Sequence, residues 1–221
     1  MQSSRQLKIK ICGLQREADV EAVNKYRPDW AGFVFAPGRH CVTAEQARRL
    51  RASLRKDIPV LGVFVQAPVA FVANLAQEGI IDGIQLHGDE DELYVEELRQ
   101  QTTVPLWRAC RIRPGQTDCR FPAVQKAGHL ILDAFSVKSY GGTGRRIDPV
   151  LLQQVKVDKP FLLAGGLNAD NVEDAVRTVV SLPQLAPYFA GVDVSGGVET
   201  EGVKDAQKIK DIIGKVRGMR L

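Results

Sequence analysis

The sequence predicts an α/β fold, a (β/α)8 TIM barrel formed by one domain over residues 1–221. Three observations carry that expectation. Eight short apolar, β-branched runs recur along the chain, amphipathic segments separate them, and the turn after the first run, CGLQRE, lacks the G-x-G-x-x-G fingerprint of a dinucleotide-binding sheet. Near-continuous apolar strands are buried on both faces, and eight alternating βα units meet that demand by closing into a barrel. An open doubly wound sheet is the alternative.

The elements follow in order. LKIKIC (7–12), WAGFVF (30–35) and VLGVFV (60–65) are rich in β-branched and aromatic residues, as strands are, and each gives way to an amphipathic stretch, 17–25, 44–54 and 69–77. DGIQL (82–86) and VPLWRA (104–109) flank a helical pattern over 90–100. HLILD (129–133), PFLLA (160–164) and AGVDV (190–194) complete the eight, with helices predicted over 171–180 and 205–216. The connections 119–126 and 149–155 carry weaker helical patterns.

Bulk properties narrow the function. A length of 221 residues is close to the smallest that closes such a barrel. With 44% apolar and 25% charged residues, neither a disordered chain nor a disulfide scaffold is expected. The formal charge of +4 is spread along the chain except for a basic stretch at 204–220, which reads as the solvated face of a last helix; no nucleic-acid partner is expected. Cys12, Cys41, Cys110 and Cys119 form no C-x-x-C pair and no zinc spacing with His40, His87 or His129, so a reduced compartment and no metal are expected. No run approaches the ~20 apolar residues of a membrane span, and the N-terminus lacks a signal-like apolar core. A soluble, cytoplasmic protein without a membrane partner is the expectation.

Active sites of such barrels form at the C-terminal ends of the strands. There the sequence places Cys12-Gly13, Phe35 with Arg39 beyond it, Gln85 with His87, Arg108, Asp133, Gly165-Gly166, and Asp193 with Ser195-Gly196-Gly197. The two late glycine turns suit a phosphate: glycine lets backbone N–H groups approach an anion, and a following helix start adds positive potential. Tight strand-to-helix turns with nothing bound are the alternative. Cys12 is either a small buried hydrophobe or a nucleophile or base, the latter helped by Lys10 or Arg39 if these point inward. Asp133 interrupts an apolar strand, where a lone carboxylate is costly unless it is paired or titrating. Arg39 is placed to grip a carboxylate or phosphate, or is an ordinary surface arginine. His87 suits either acid–base work or positioning at the start of the next helix. Gly141, Gly142, Thr143 and Gly144 form a candidate mobile loop, or a plain connection.

Taken together, KICGL, FVFAPGRHCV, GVFV, IQLHG, LILDAFS with GGTG, LAGGLN and DVSGGVE, in that order over nearly the whole chain, resemble the phosphoribosylanthranilate isomerases of tryptophan biosynthesis. The resemblance implies an Amadori rearrangement of a phosphorylated aminoaldose by general acid–base catalysis. In it Cys12 is the base, Asp133 the acid and Arg39 the residue that holds the anthranilate carboxylate. Gln85, His87 and Asp193 are expected to meet the substrate, and Gly165, Gly166, Ser195, Gly196 and Gly197 its phosphate. No metal or organic cofactor is implied, and a monomer or homodimer is expected. Two departures stand out: Gly38 lies where the family often has a compact Ser-Pro-Arg, and SGG replaces SSG after the eighth strand. Two other readings remain open, a histidine-pathway isomerase of the same chemistry and a catalytically silent barrel that binds a sugar phosphate.

Overall fold

The structure, a computed structural model, describes residues 6–120, 126–134 and 148–219. Eight parallel strands pair in chain order and the last pairs with the first, which closes the predicted barrel. The strands are β1 (Lys8–Cys12), β2 (Trp30–Val34), β3 (Val60–Phe64), β4 (Gly83–Leu86), β5 (Leu106–Ile112), β6 (His129–Ala134), β7 (Phe161–Leu163) and β8 (Phe189–Val194). Around them lie α1 (Glu17–Tyr26), α2 (Ala44–Ser53), α3 (Val69–Gln77), α4 (Glu92–Gln101), α5 (Pro149–Leu152), α6 (Val172–Val180) and α7 (Ala206–Gly218). A 3-10 turn (Gly196–Val198) leads from β8 into a small antiparallel hairpin, β9 (Glu199–Thr200) and β10 (Val203–Lys204).

The strand period of two divides the core into two layers. Outward residues such as Ile9, Ile11, Ile84, Leu86, Leu130 and Leu132 meet the apolar stripes of the helices, for example Val172, Val176 and Val179 of α6 and Ile209, Ile212, Ile213 and Val216 of α7. Inward residues Leu61, Trp107, Ala109, Ile131, Leu162, Ala164 and Ala190 fill the barrel with Trp30, whose ring meets Trp107 edge-on at 5.1 Å. Burying one such Leu, Ile or Phe side chain stabilises the fold by about 1.5–3 kcal/mol. The barrel interior is therefore packed with apolar side chains, and a cavity lies at its C-terminal mouth.

Local chemistry sets several element limits. Thr43, Asp91 and Asp205 each accept a backbone N–H at the start of α2, α4 and α7, so the helices begin one residue later. Hence α4 starts at Glu92 rather than at 90. The 149–155 pattern yields only the single turn α5, begun by Pro149. Of the 119–126 pattern, Cys119 and Arg120 are not helical and 121–125 lie outside the described residues. The fifth strand runs Leu106–Ile112 instead of 104–109, which moves its C-terminal end.

β8 departs from simple alternation. Phe161 of β7 pairs with Phe189, but Leu162 pairs with Gly191, so Ala190 and Gly191 together face one step of β7 in a β-bulge. Phe189, Val192 and Val194 join the outer layer and Ala190 the inner one, so Asp193 turns inward three residues after Ala190. Gly191 permits this: a Cβ there would lie 1.9 Å from the Lys8 carbonyl oxygen. Among the described residues no helix is long and apolar enough to cross a membrane.

Candidate active site

Lys10 and Cys12, two residues apart on β1, both point into the barrel. Lys10 is wholly buried, and its Nζ donates to both carboxylate oxygens of Asp193, at 3.0 and 2.9 Å. β1 and β8 pair with Lys10 opposite Asp193. Cys12, one turn of the pleat higher, lines the cavity at the mouth. Burial pushes its thiol above the ordinary range, and Asp193 adds to that; the Lys10 ammonium works in the opposite direction. Desolvation works against the Lys10 charge too, but Asp193 and Cys12 prevail and raise its pKa. Gly32 of β2 sits opposite Cys12 and leaves the room its sulfur occupies.

Across the mouth, Asp133 follows Ile131 on the inner face of β6 and lines the same cavity. Gln85, on the inner face of β4, donates its amide to His87 Nδ1 at 3.0 Å, which leaves the ring hydrogen on Nε2. Nε2 stands 3.3 Å from Asp133 Oδ2, within ion-pair reach but outside hydrogen-bond alignment. Gln85 Oε1 and His87 Nε2 are thus buried polar atoms with no hydrogen-bond partner among the described residues, and their side chains line the cavity. Such atoms are costly unless a ligand or water completes them. His87 lines the mouth and does not stand at a helix start, because α4 begins only at Glu92.

The two glycine turns meet. Gly165 and Gly166 both have positive φ, +91° and +59°. Gly197 packs so closely on the β7 turn that a Cβ would stand 1.8 Å from the Leu167 carbonyl oxygen. Gly165, Gly166, Ser195, Gly196 and Gly197 all line the cavity, as the sequence suggests.

Arg39 is half exposed, is not among the residues that line the cavity, and ion-pairs with Glu199 Oε2 at 2.8 Å. The neighbouring His40 lines the cavity instead and reaches Glu199 Oε1 through Nε2, also at 2.8 Å. Lys204 completes this group: its buried Nζ donates to Glu199 Oε1 at 2.6 Å and to Ser195 O and Oγ at 3.1 and 3.3 Å. Burial alone would raise the Glu199 pKa, but His40 and Lys204 hold it down to about 2. Lys204 is therefore no part of a solvated helix face; it precedes the α7 cap Asp205 and sits under the eighth-strand turn. The sequence alone singles out neither residue for the mouth: Glu199 is one charge in a turn segment, and Lys204 reads there as the start of the basic stretch 204–220.

Arg108 is displaced from the mouth. Because β5 continues to Ile112, Arg108 lies mid-strand with Leu106 and Cys110 on the outer face, where it pairs with the buried Glu90 at 2.6 Å. The stretch Gly141, Gly142, Thr143 and Gly144 lies outside the described residues. Among the described residues no group of His, Cys, Asp or Glu is arranged to hold a metal ion.

A closed eight-stranded barrel whose mouth gathers a thiol, a carboxyl and two glycine turns has the architecture of a barrel enzyme with its site at the C-terminal strand ends. The family model of N-(5'-phosphoribosyl)anthranilate (PRA) isomerase matches residues 9–215. An N-(5'-phosphoribosyl)anthranilate isomerase of Thermoanaerobacter sp. (strain X514) is 41% identical over 214 residues, 97% of this chain and all of that one. The phosphoribosyl anthranilate isomerase of Thermus thermophilus superposes with a TM-score of 0.77 at 26% identity, covering 96% of this chain and 99% of its own. A phosphoribosyl anthranilate isomerase solved with reduced 1-(o-carboxyphenylamino)-1-deoxyribulose 5-phosphate gives 0.71 at 25% identity, covering 97% and 100%. The chain belongs to the N-(5'-phosphoribosyl)anthranilate isomerase family, and it is an isomerase of tryptophan biosynthesis. The match favours neither the histidine-pathway isomerase nor a silent barrel.

Proposed function

We propose that Asp133 and Cys12 divide the Amadori rearrangement between them as general acid and general base. The observation that carries this is their convergence, from β6 and β1, on the one cavity that both glycine turns also line. Asp133 donates a proton to the ribose ring oxygen while the anilino nitrogen pushes its lone pair toward C1′, so the ring opens to an imine. Cys12, as thiolate, removes the proton from C2′ to give an enolamine. Tautomerisation then delivers the 1-amino-2-ketose, an isomer of the substrate with every atom retained.

The rest of the cavity supports this pose. The phosphate rests on Gly165, Gly166, Ser195, Gly196 and Gly197, with Lys204 beneath Ser195 supplying positive charge. The unpartnered Gln85 Oε1 and His87 Nε2 face the sugar and complete their hydrogen bonds on its hydroxyls. Asp193 borders the same space through its pair with Lys10. The anthranilate carboxylate lies toward the β2 loop, where His40 lines the cavity and Arg39 stands behind it on Glu199. The enzyme works in a reducing cytoplasm, where its four free thiols persist, as a monomer or homodimer that light scattering distinguishes.

The test follows the fluorescence of freshly generated phosphoribosylanthranilate. Wild-type protein is expected to quench it rapidly, and Cys12→Ala and Asp133→Asn to lose a factor of about 10²–10⁴ in kcat. Full turnover in either variant refutes the assignment of that residue.

A further inference from the structure

We infer that Lys10 is a positioning residue for the base: its buried ammonium, held by Asp193, is the counter-charge that lets Cys12 ionise. This rests on the reading of Cys12 as the general base. The geometry leaves the ammonium little other purpose. A lysine is among the costliest groups to bury, and Lys10, with no exposed surface, sits inside a barrel whose inner cluster, with Leu61, Trp107, Ile131 and Leu162, is apolar. A purely structural barrel would fill that position with Leu or Val. Asp193 pins the ammonium through two short contacts, and the bulge in β8 is what turns that carboxylate inward. The pleat then sets Cys12 two residues on, on the same face, with Gly32 leaving space for its sulfur.

The arrangement meets an otherwise awkward demand. A thiol buried at the mouth resists ionisation, yet proton abstraction from C2′ requires the thiolate. Lys10 opposes the desolvation from below. The other charges that act on the sulfur are Asp193 from β8 and Lys204 from β10, and His40, His87 and Asp133 share its cavity. Asp193 raises the thiol pKa by its own charge, so it serves as tether at some cost to ionisation. Asp193 and Lys10 therefore have opposite signs of influence on Cys12, which gives the inference a signature that loss of packing cannot imitate.

The experiment measures the rate of Cys12 alkylation by iodoacetamide against pH in a Cys41→Ser/Cys110→Ala/Cys119→Ala background, because Cys41 is exposed and Cys110 and Cys119, buried like Cys12, line a pocket of their own. Lys10→Met is expected to move the inflection up by at least about one pH unit, which slows alkylation about tenfold below it. Asp193→Asn is expected to move it down. Because Lys10→Met leaves a buried carboxylate unpaired and could unfold the barrel, the neutral pair Lys10→Met/Asp193→Asn is measured too. Its inflection is expected above that of Asp193→Asn alone, which isolates the Lys10 contribution. The rise of kcat/KM with pH should follow the same order. An inflection unmoved by removing Lys10 in both backgrounds overturns the inference. Since alkylation reports on Cys12 without turnover, a fully active Cys12→Ala would refute the base assignment separately.

Discussion

Gly32 faces Cys12 across the β1–β2 ladder, and a Cβ at position 32 would stand 2.8 Å from the Cys12 sulfur and 3.1 Å from its Cα. No methyl fits there while the sulfur keeps its place. Gly32→Ala is expected to displace the thiol from the mouth, at a stability cost of about 1–3 kcal/mol typical of overpacking. Catalysis should suffer more than binding: kcat falls at least tenfold, or about 1.4 kcal/mol in barrier, with KM nearly unchanged. A variant with wild-type kcat would show that the position of Cys12 is not critical.

The contact between the glycine turns makes a second prediction. With a Cβ at 197 only 1.8 Å from the Leu167 carbonyl, Gly197→Ala must push two backbone segments apart. Phosphate binding should weaken accordingly, so that KM and the inhibition constant for inorganic phosphate both rise about tenfold or more, one lost charge-assisted contact being worth about 1.5–3 kcal/mol. Equal phosphate affinity in the variant would remove the phosphate from these turns.

His40 and Arg39 can be ranked by steady-state kinetics. His40 lines the cavity, whereas Arg39 is half exposed and engaged with Glu199. His40→Ala is expected to raise KM about tenfold, and Arg39→Ala about threefold or less, the median worth of an exposed pair being below 1 kcal/mol. The reverse order would make Arg39 rather than His40 the carboxylate anchor.

Glu199 ties acid stability to the mouth. Its pKa is lowered from 4.5 to about 2, so as pH falls the unfolded chain takes up this proton before the folded one does. Its contribution is thus complete above pH 4.5, wanes between 4.5 and about 2, and is absent below. The full contribution is on the order of 3 kcal/mol. Denaturant unfolding at pH 7, 4 and 2.5 should show wild type and Glu199→Gln converging as the pH drops. A gap that stays constant with pH would mean the two differ only in packing.

Much of this was legible in the sequence because it is local. β-branched runs identify the strands, their ends locate Cys12, Asp133 and both glycine turns, and the motif order identifies the family. What escaped depends on pairings across the chain. Glu199 acquires meaning only beside His40, and Lys204 only beneath Ser195. Gly32 looks like any strand glycine until Cys12 is set against it. Arg108 was misplaced because the end of β5 fixes which residues reach the mouth, and apolar periodicity does not mark that end. Arg39 is conspicuous in the sequence by its charge, whereas only the β2 loop of the folded chain sets the neighbouring His40 in the cavity lining.

The bulge in β8 extends this to residues that never approach a substrate. A strand keeps time in twos, and β8 carries one extra beat at Gly191. Any side chain there would leave the chain two outcomes: lose its seat against the Lys8 backbone, or straighten and slip out of phase. In the second, Val192 and Val194 would enter the barrel and Asp193 would point into the helix layer, leaving the interior with an uncompensated cation under the thiol. The charge presented to the reacting sugar is thus set by the phase of a strand, and a single glycine at the far end of that strand keeps the phase.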